Sequence, residues 1–165
     1  MREVICNTSL LQYLHQLDLL PVLQVLAGKV IVPPAVVDEL EVGISKGLDL
    51  PRLTSFDWVE VRAPVSLAAV PLVSDLGPGE TQVLALALES REPLALLDDA
   101  LARRVAASLG IAVEGTLGLL LDAKRAELLV SVGPFLDRLQ VLGFRLDPGT
   151  RDAVLRLAGE APKRS

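Results

Sequence analysis

Two short apolar runs break off abruptly into polar side chains: Val4-Ile5-Cys6 meets Asn7-Thr8-Ser9, and Leu94-Ala95-Leu96-Leu97 meets Asp98-Asp99. Strands covered by helices on both faces read as such uninterrupted runs, and open α/β sheets bind ligands beyond the carboxyl ends of their strands. The pattern confines the chain to an α/β layer fold and makes the polar residues after the runs its candidate working site. Between the runs lie Glu39, six residues after Pro33, and Glu80, in Gly77-Pro78-Gly79-Glu80, both in helical stretches that follow strand or loop segments. Clustered carboxylates without matching histidines suit Mg²⁺ or Mn²⁺, which prefer oxygen ligands.

The remaining pattern fills in the layers. Ser9-Leu10-Leu11-Gln12 has the spacing of a capping box, and Leu10, Leu11, Leu14 and Leu17 recur at helical intervals. A second helical patch at 21–26 precedes a strand over 29–32. Pro33-Pro34 ends that strand and seeds a helix carrying Val36, Val37, Glu39 and Leu40. Residues 43–76 are broken by Pro51, Pro64 and Pro71 and predict loops and short helices, with Trp58-Val59-Glu60-Val61 alternating as an edge or late strand. From Pro78 a helix carries Val83, Leu84, Ala87 and Leu88, followed by a strand over 94–97 and a helix over 99–109 ending at Gly110. A strand over 111–113 and helices over 116–127, 132–142 and 149–159 complete the reading. The expectation is a three-layer α/β/α fold with a mostly parallel sheet of about four to five strands plus C-terminal helices. The domain is expected over 1–146, with a C-terminal helix and tail, 147–165, packed on it; 161–165 reads as a frayed end.

Composition sets the limits. A chain of 165 residues removes roughly 70% of its unfolded surface from water, enough for its own core. With 51% hydrophobic residues and only 3% aromatic, that core must be Leu, Val, Ala and Ile, and the apolar excess points to a homodimer. No apolar stretch reaches the roughly 18 residues of a membrane helix, and Met1-Arg2-Glu3 runs straight into a strand, so neither export nor anchoring is expected. A single cysteine, Cys6, fits a reducing cytoplasm, and a lone His15 with no partner at metal spacing gives zinc no support. Net charge of −5 argues against broad electrostatic capture of nucleic acid, so any such contact must be local. Basic pairs stand at Arg103-Arg104 and Lys124-Arg125, the plain reading of which is a solvated helix face.

One family carries these blocks in this order. Val4 to Ser9, Val32-Pro33-Pro34-Ala35-Val36-Val37-Asp38-Glu39, Gly77-Pro78-Gly79-Glu80, Leu96-Leu97-Asp98-Asp99 with Ala102-Arg103-Arg104-Val105-Ala106, then Gly115-Thr116-Leu117-Gly118 and Ala123-Lys124-Arg125 together resemble the PIN-domain family. Within it, the chain is similar to prokaryotic PIN-like proteins related to the toxins of toxin-antitoxin pairs. The resemblance spans nearly the whole chain. It implies an α/β nuclease cleaving single-stranded RNA with Mg²⁺ or Mn²⁺ at an acidic pocket, a small antitoxin protein as a partner, and a dimer. Carried over by position, the family's first aspartate falls on Asn7, its helix glutamate on Glu39, its central acid on Glu80 and its strand-end aspartate on Asp99 or Asp98. Catalysis is thereby assigned to Glu39, Glu80 and Asp99, and metal binding to these with Asn7 and Asp98. Thr8, Ser9 and Thr116 would meet the substrate, with Arg103, Arg104 and Lys124 as candidate backbone contacts. Asn7 departs from the pattern: an amide oxygen can ligate a cation but brings no charge. Gly115-Thr116 stands where many members place a further acid.

Each residue also has a plainer reading. Asn7, Thr8, Ser9 and Asp99 all suit helix caps, and Asp98 a solvent-facing neighbour. Glu80 gains from a helix dipole without catalysing anything. Glu39 stands between Asp38 and Glu41, and only the family pattern selects it. Arg103 follows Asp99 at ion-pair spacing. Two rival functions remain: a PIN-like scaffold that binds RNA or a small antitoxin-like partner with a weakened metal site, and a small-molecule or phosphoryl-signalling α/β domain. The latter lacks a Gly-rich phosphate loop with a lysine.

Overall fold

A computed structural model describes residues 2–72 and 75–160; the expected frayed end at 161–165 lies outside them. Five parallel strands, β1 (Glu3–Cys6), β2 (Val30–Val32), β3 (Val59–Val61), β4 (Pro93–Leu96) and β5 (Ala112–Glu114), form one sheet in the order β3-β2-β1-β4-β5. Central β1 lies between β2 and β4, with Val4 opposite Val30 and Leu94 and Cys6 opposite Leu96. Helices cover both faces, so Ile5, Val32, Ala95 and Leu96 are all fully buried, which is why the strands read as solid apolar runs rather than alternating ones. Cys6 is buried and free, and burial pushes its thiol far above the ordinary range, leaving an inert core side chain.

Among the described residues eight helices flank the sheet: α1 (Thr8–Gln16), α2 (Leu20–Ala27), α3 (Pro34–Ser45), α4 (Pro78–Glu89), α5 (Ala100–Ser108), α6 (Thr116–Arg125), α7 (Gly133–Val141) and α8 (Pro148–Leu157). α1, α2 and α6 pack on one another, α3 packs on α4, α4 lies against β1 and β4, and α5 against the edge strand β5. Leu10, Leu11, Leu84, Leu120 and Leu136 fill the space between helices and sheet, with no aromatic ring among the fully buried side chains. Prolines open α3, α4 and α8 at the first helical turn, where a missing N–H costs nothing.

The expected elements are present, with ends displaced by one or two residues. The opening of α1 differs in kind. It starts at Thr8 with Asn7 in the cap position, so Ser9 lies inside the first turn and Ser9-Gln12 is not a capping box. The region 43–76 holds the end of α3, a 3₁₀ turn at Leu53–Ser55 and β3, which pairs in parallel with β2 as an edge strand.

The chain begins in the centre, builds outward to β2 and β3, then returns to add β4 and β5 on the other side of β1. The reversal leaves a crevice beyond the carboxyl ends of β1 and β4, where ligands of open α/β sheets bind. Asn7 follows the first of these strands and Asp98-Asp99 the second.

Candidate active site

The backbone N–H of Asn7 donates to the carbonyl of Leu96 at 3.2 Å, tying the ends of β1 and β4 together at the crevice. Asn7 is extended, as a cap residue should be, but its side chain accepts no bond from the helix it precedes. The residue is 5% exposed, and its Oδ1 is buried with no hydrogen-bond partner. A helix-capping role therefore does not account for this side chain. A buried oxygen left without a donor costs about 1–3 kcal/mol, so it calls for an explanation.

The neighbouring groups are all oxygen-rich. Glu39, on α3, accepts the hydroxyl proton of Thr8 at Oε2 and the N–H of Gly79 at Oε1, the latter at 2.9 Å. One carboxylate thus joins the first turns of α1 and α4 to α3. Asp38 is exposed and Glu41 likewise, so Glu39 is the member of that acidic run that turns inward. At Gly79 the space a Cβ would fill lies 2.7 and 3.0 Å from the two Glu39 oxygens and 3.1 Å from Asn7 Oδ1. The absence of a side chain at residue 79 lets the Glu39 carboxylate and the Asn7 amide oxygen come this close to the start of α4.

Glu80 follows in the first turn of α4. Its Oε1 accepts the Gly77 N–H at 3.3 Å, closing the turn, while Oε2 is buried without a partner. Burial, then the charges of Asp99 and Glu39, raise this carboxyl above its ordinary range, against the pull of the Gly77 N–H. Asp99 caps α5, its Oδ2 accepting from Ala102 N at 2.9 Å. Asp98 points the other way: Oδ1 accepts from Thr116 N at 2.8 Å and Oδ2 from the Thr116 hydroxyl at 2.6 Å. Burial raises the Asp98 carboxyl, opposed by those two bonds and by the charge of Arg103. The Arg103 guanidinium stands beside Asp98; a Cβ on Gly115 would lie 2.7 Å from Arg103 Nη1 and 2.8 Å from Asp98 Oδ1.

A family model described as a PIN domain matches residues 3–160. The chain belongs to the PIN-domain family. No protein with a curated description matches it. PIN domains are nuclease-type folds that generally use divalent metal ions and act on RNA.

In this PIN domain the structure gathers Asn7, Thr8, Glu39, Glu80 and Asp99 around one crevice. Among the described residues no three acidic, cysteine or histidine side chains converge closely enough to hold an ion by themselves. The donor set nevertheless suits an oxygen-preferring cation, because the Asn7 amide supplies the oxygen that a fourth acid would, and two buried oxygens there lack partners. Ser9 lies partly buried in the first turn of α1, beside the group rather than in it. Thr116 is fully buried, with both donors held by Asp98. Arg103 and Arg104 are exposed on α5. Lys124 lies apart: it pairs with Glu160 at 2.8 Å, two helical turns from Thr116 and so roughly 12 Å along α6. No described helix is long and apolar enough to cross a membrane.

Two participants escaped the sequence reading. Gly79 was legible only as part of a turn, yet it sits inside a helix with no positive φ to require glycine. Tyr13, one turn after Ser9 on α1, faces the charge of Asp98; burial and that charge raise its hydroxyl above the ordinary range. An isolated Tyr in an amphipathic helix carries no signal of such a neighbour.

Proposed function

We propose that this PIN domain is a Mg²⁺- or Mn²⁺-dependent endoribonuclease acting on single-stranded RNA. The observation that carries the reading is the buried Asn7 Oδ1, without a partner and facing the Glu39 carboxylate beside Gly79. Two acceptors facing one another without a donor repel unless positive charge stands between them. Glu39, Glu80 and Asp99, with Asn7, are the residues that would hold the cation. When bound, it would polarise the phosphodiester and lower the pKa of a water for in-line attack.

The chain's own groups divide the remaining work. Thr8 and the Gly79 N–H fix the Glu39 carboxylate, so its orientation is set before any ligand arrives. Burial, then the charges of Asp99 and Glu39, raise the Glu80 carboxyl above its ordinary range, a strain that positive charge in the crevice would relieve. Asp99 is aimed by its bond to Ala102 N. Arg104, exposed on α5, and Arg103, exposed beside Asp98, are the cations there that would meet phosphates, which an acidic pocket would otherwise repel. The test is degradation of single-stranded RNA in Mn²⁺, abolished in Asp99→Ala and Glu80→Ala. Cleavage that survives both changes, or that needs no metal, overturns the proposal.

A second reading has its own observation. The amide at position 7 removes one negative charge, and no three acids converge among the described residues. That favours a PIN scaffold with a weakened metal site, binding RNA or a small antitoxin-like protein without turnover. Calorimetric titration with Mg²⁺ and Mn²⁺ separates the two, since the scaffold reading expects no heat of binding in the millimolar range.

A further inference from the structure

Gly79 occupies the second position of α4, after Pro78, with ordinary helical backbone and no positive φ. Glycine in such a place weakens a helix, because it has the most backbone freedom to lose and nothing to gain from a left-handed conformation. The same Pro-Gly pair opens α8 at Pro148-Gly149, so local helix chemistry alone does not separate the two sites. Their surroundings do. A Cβ on Gly149 would meet only the carboxylate that caps its own helix, at 3.3 Å. A Cβ on Gly79 would meet oxygens from two other elements, Glu39 at 2.7 and 3.0 Å and Asn7 at 3.1 Å, the first close enough that the Glu39 carboxylate must move. Glycine stands at 79 for space.

We infer that Gly79 is a positioning residue of the cation site: having no side chain, it lets the Glu39 carboxylate lie against the start of α4, held by the Gly79 N–H, so that Glu39 and Asn7 face one ion-binding point. The inference rests on the cation reading given above and adds a residue and a spatial requirement to it. The second support is Asn7, nine-tenths buried and unpartnered, with its oxygen directed at the same point. A methyl group at residue 79 would swing the flexible Glu39 side chain aside, breaking its bonds to Thr8 and Gly79 while leaving the surrounding leucine core untouched. The substitution should therefore remove cation binding far more than it disturbs folding.

The experiment uses the full chain as wild type, Gly79→Ala, Asn7→Asp, the Asn7→Asp/Gly79→Ala double variant and Gly149→Ala. Each is titrated with MnCl₂ by calorimetry and melted without metal. Asn7→Asp is expected to bind Mn²⁺ at least tenfold more tightly than wild type. Adding Gly79→Ala should reverse that gain by tenfold or more, whereas Gly149→Ala should leave Mn²⁺ affinity unchanged and raise the Tm. Equal Mn²⁺ affinity with and without Gly79→Ala overturns the inference and leaves the nuclease reading standing. Absence of Mn²⁺ binding in every variant, Asn7→Asp included, overturns both. Should Gly79→Ala fail to fold, Gly79→Ala/Glu39→Ala, which removes the colliding oxygens, must restore folding; if it does not, the glycine is structural and the inference is wrong.

Discussion

Adjacent aspartates at the end of β4 do different work. Asp98 holds the start of α6 through two bonds to Thr116, one from the backbone and one from the hydroxyl, whereas Asp99 makes a single cap bond to α5 and its charge acts on Glu80. Bonds to a charged group are worth about 1.5–3 kcal/mol and a cap about 1 kcal/mol. Asp98→Ala should accordingly lower unfolding free energy by about 2–3 kcal/mol in urea titrations, and Asp99→Ala by about 1 kcal/mol while abolishing cleavage. Equal losses of stability would show that the two share one role. Sequence alone left this pair unresolved, because both residues follow the same apolar run and only their side-chain directions differ. It also left Asn7 open between cap and ligand; the absence of any side-chain bond to α1 sets the cap role aside. Glu39 was singled out from Asp38 and Glu41 only by the family pattern, and its inward direction follows from α3 packing on α4.

Among the secondary elements, β5 and α6 meet at a pair of acids. Glu114 packs over Gly118, and its carboxyl is pushed up to about 8, first by burial and then by hydrogen bonding and charge from Asp122, against the pull of Arg2 and Arg125. Both acids line a cavity of about 400 Å³ with Leu23, Leu26, Leu94 and Leu119. The folded state keeps a proton on this pair at pH values where the unfolded chain has released it. Stability contributed by that proton is complete below the unfolded value of 4.5 and declines as pH rises toward about 8. Glu114→Gln should flatten the fall of Tm over that interval and raise Tm at pH 8; an unchanged slope would place the proton elsewhere. Farther along, Glu160 accepts from Val132 N, Gly133 N and Lys124, so one carboxylate closes the start of α7 and fastens the end of α8 to α6. Nothing in the sequence announced that clamp, since it joins residues 27 to 36 positions apart. The strands and the helices after position 77 were legible because each is an unbroken apolar run or stripe between clear stops. Residues 43–76 were less so: the edge strand at 58–61 showed in its alternation, as β3 with Val61 exposed at the sheet edge, but the prolines around it left the rest as unspecified loops and short helices.

For the molecule as a whole, cation binding to the folded state alone must stabilise it. At a concentration one hundred times the dissociation constant the gain is about 2.7 kcal/mol. Mn²⁺ should therefore raise the Tm of Asn7→Asp measurably at concentrations that leave Asp99→Ala unmoved. A rise of equal size in both would locate binding outside the crevice. The strand order has a temporal consequence as well. β1 finds its neighbour β4 only after some ninety further residues have been made, and the crevice has no second wall until then. A nascent or truncated chain ending before position 99 carries Asn7, Glu39 and Glu80 without their last companion. On the nuclease reading, such an unfinished copy would lack the Asp99 carboxylate at the crevice and should not cut RNA.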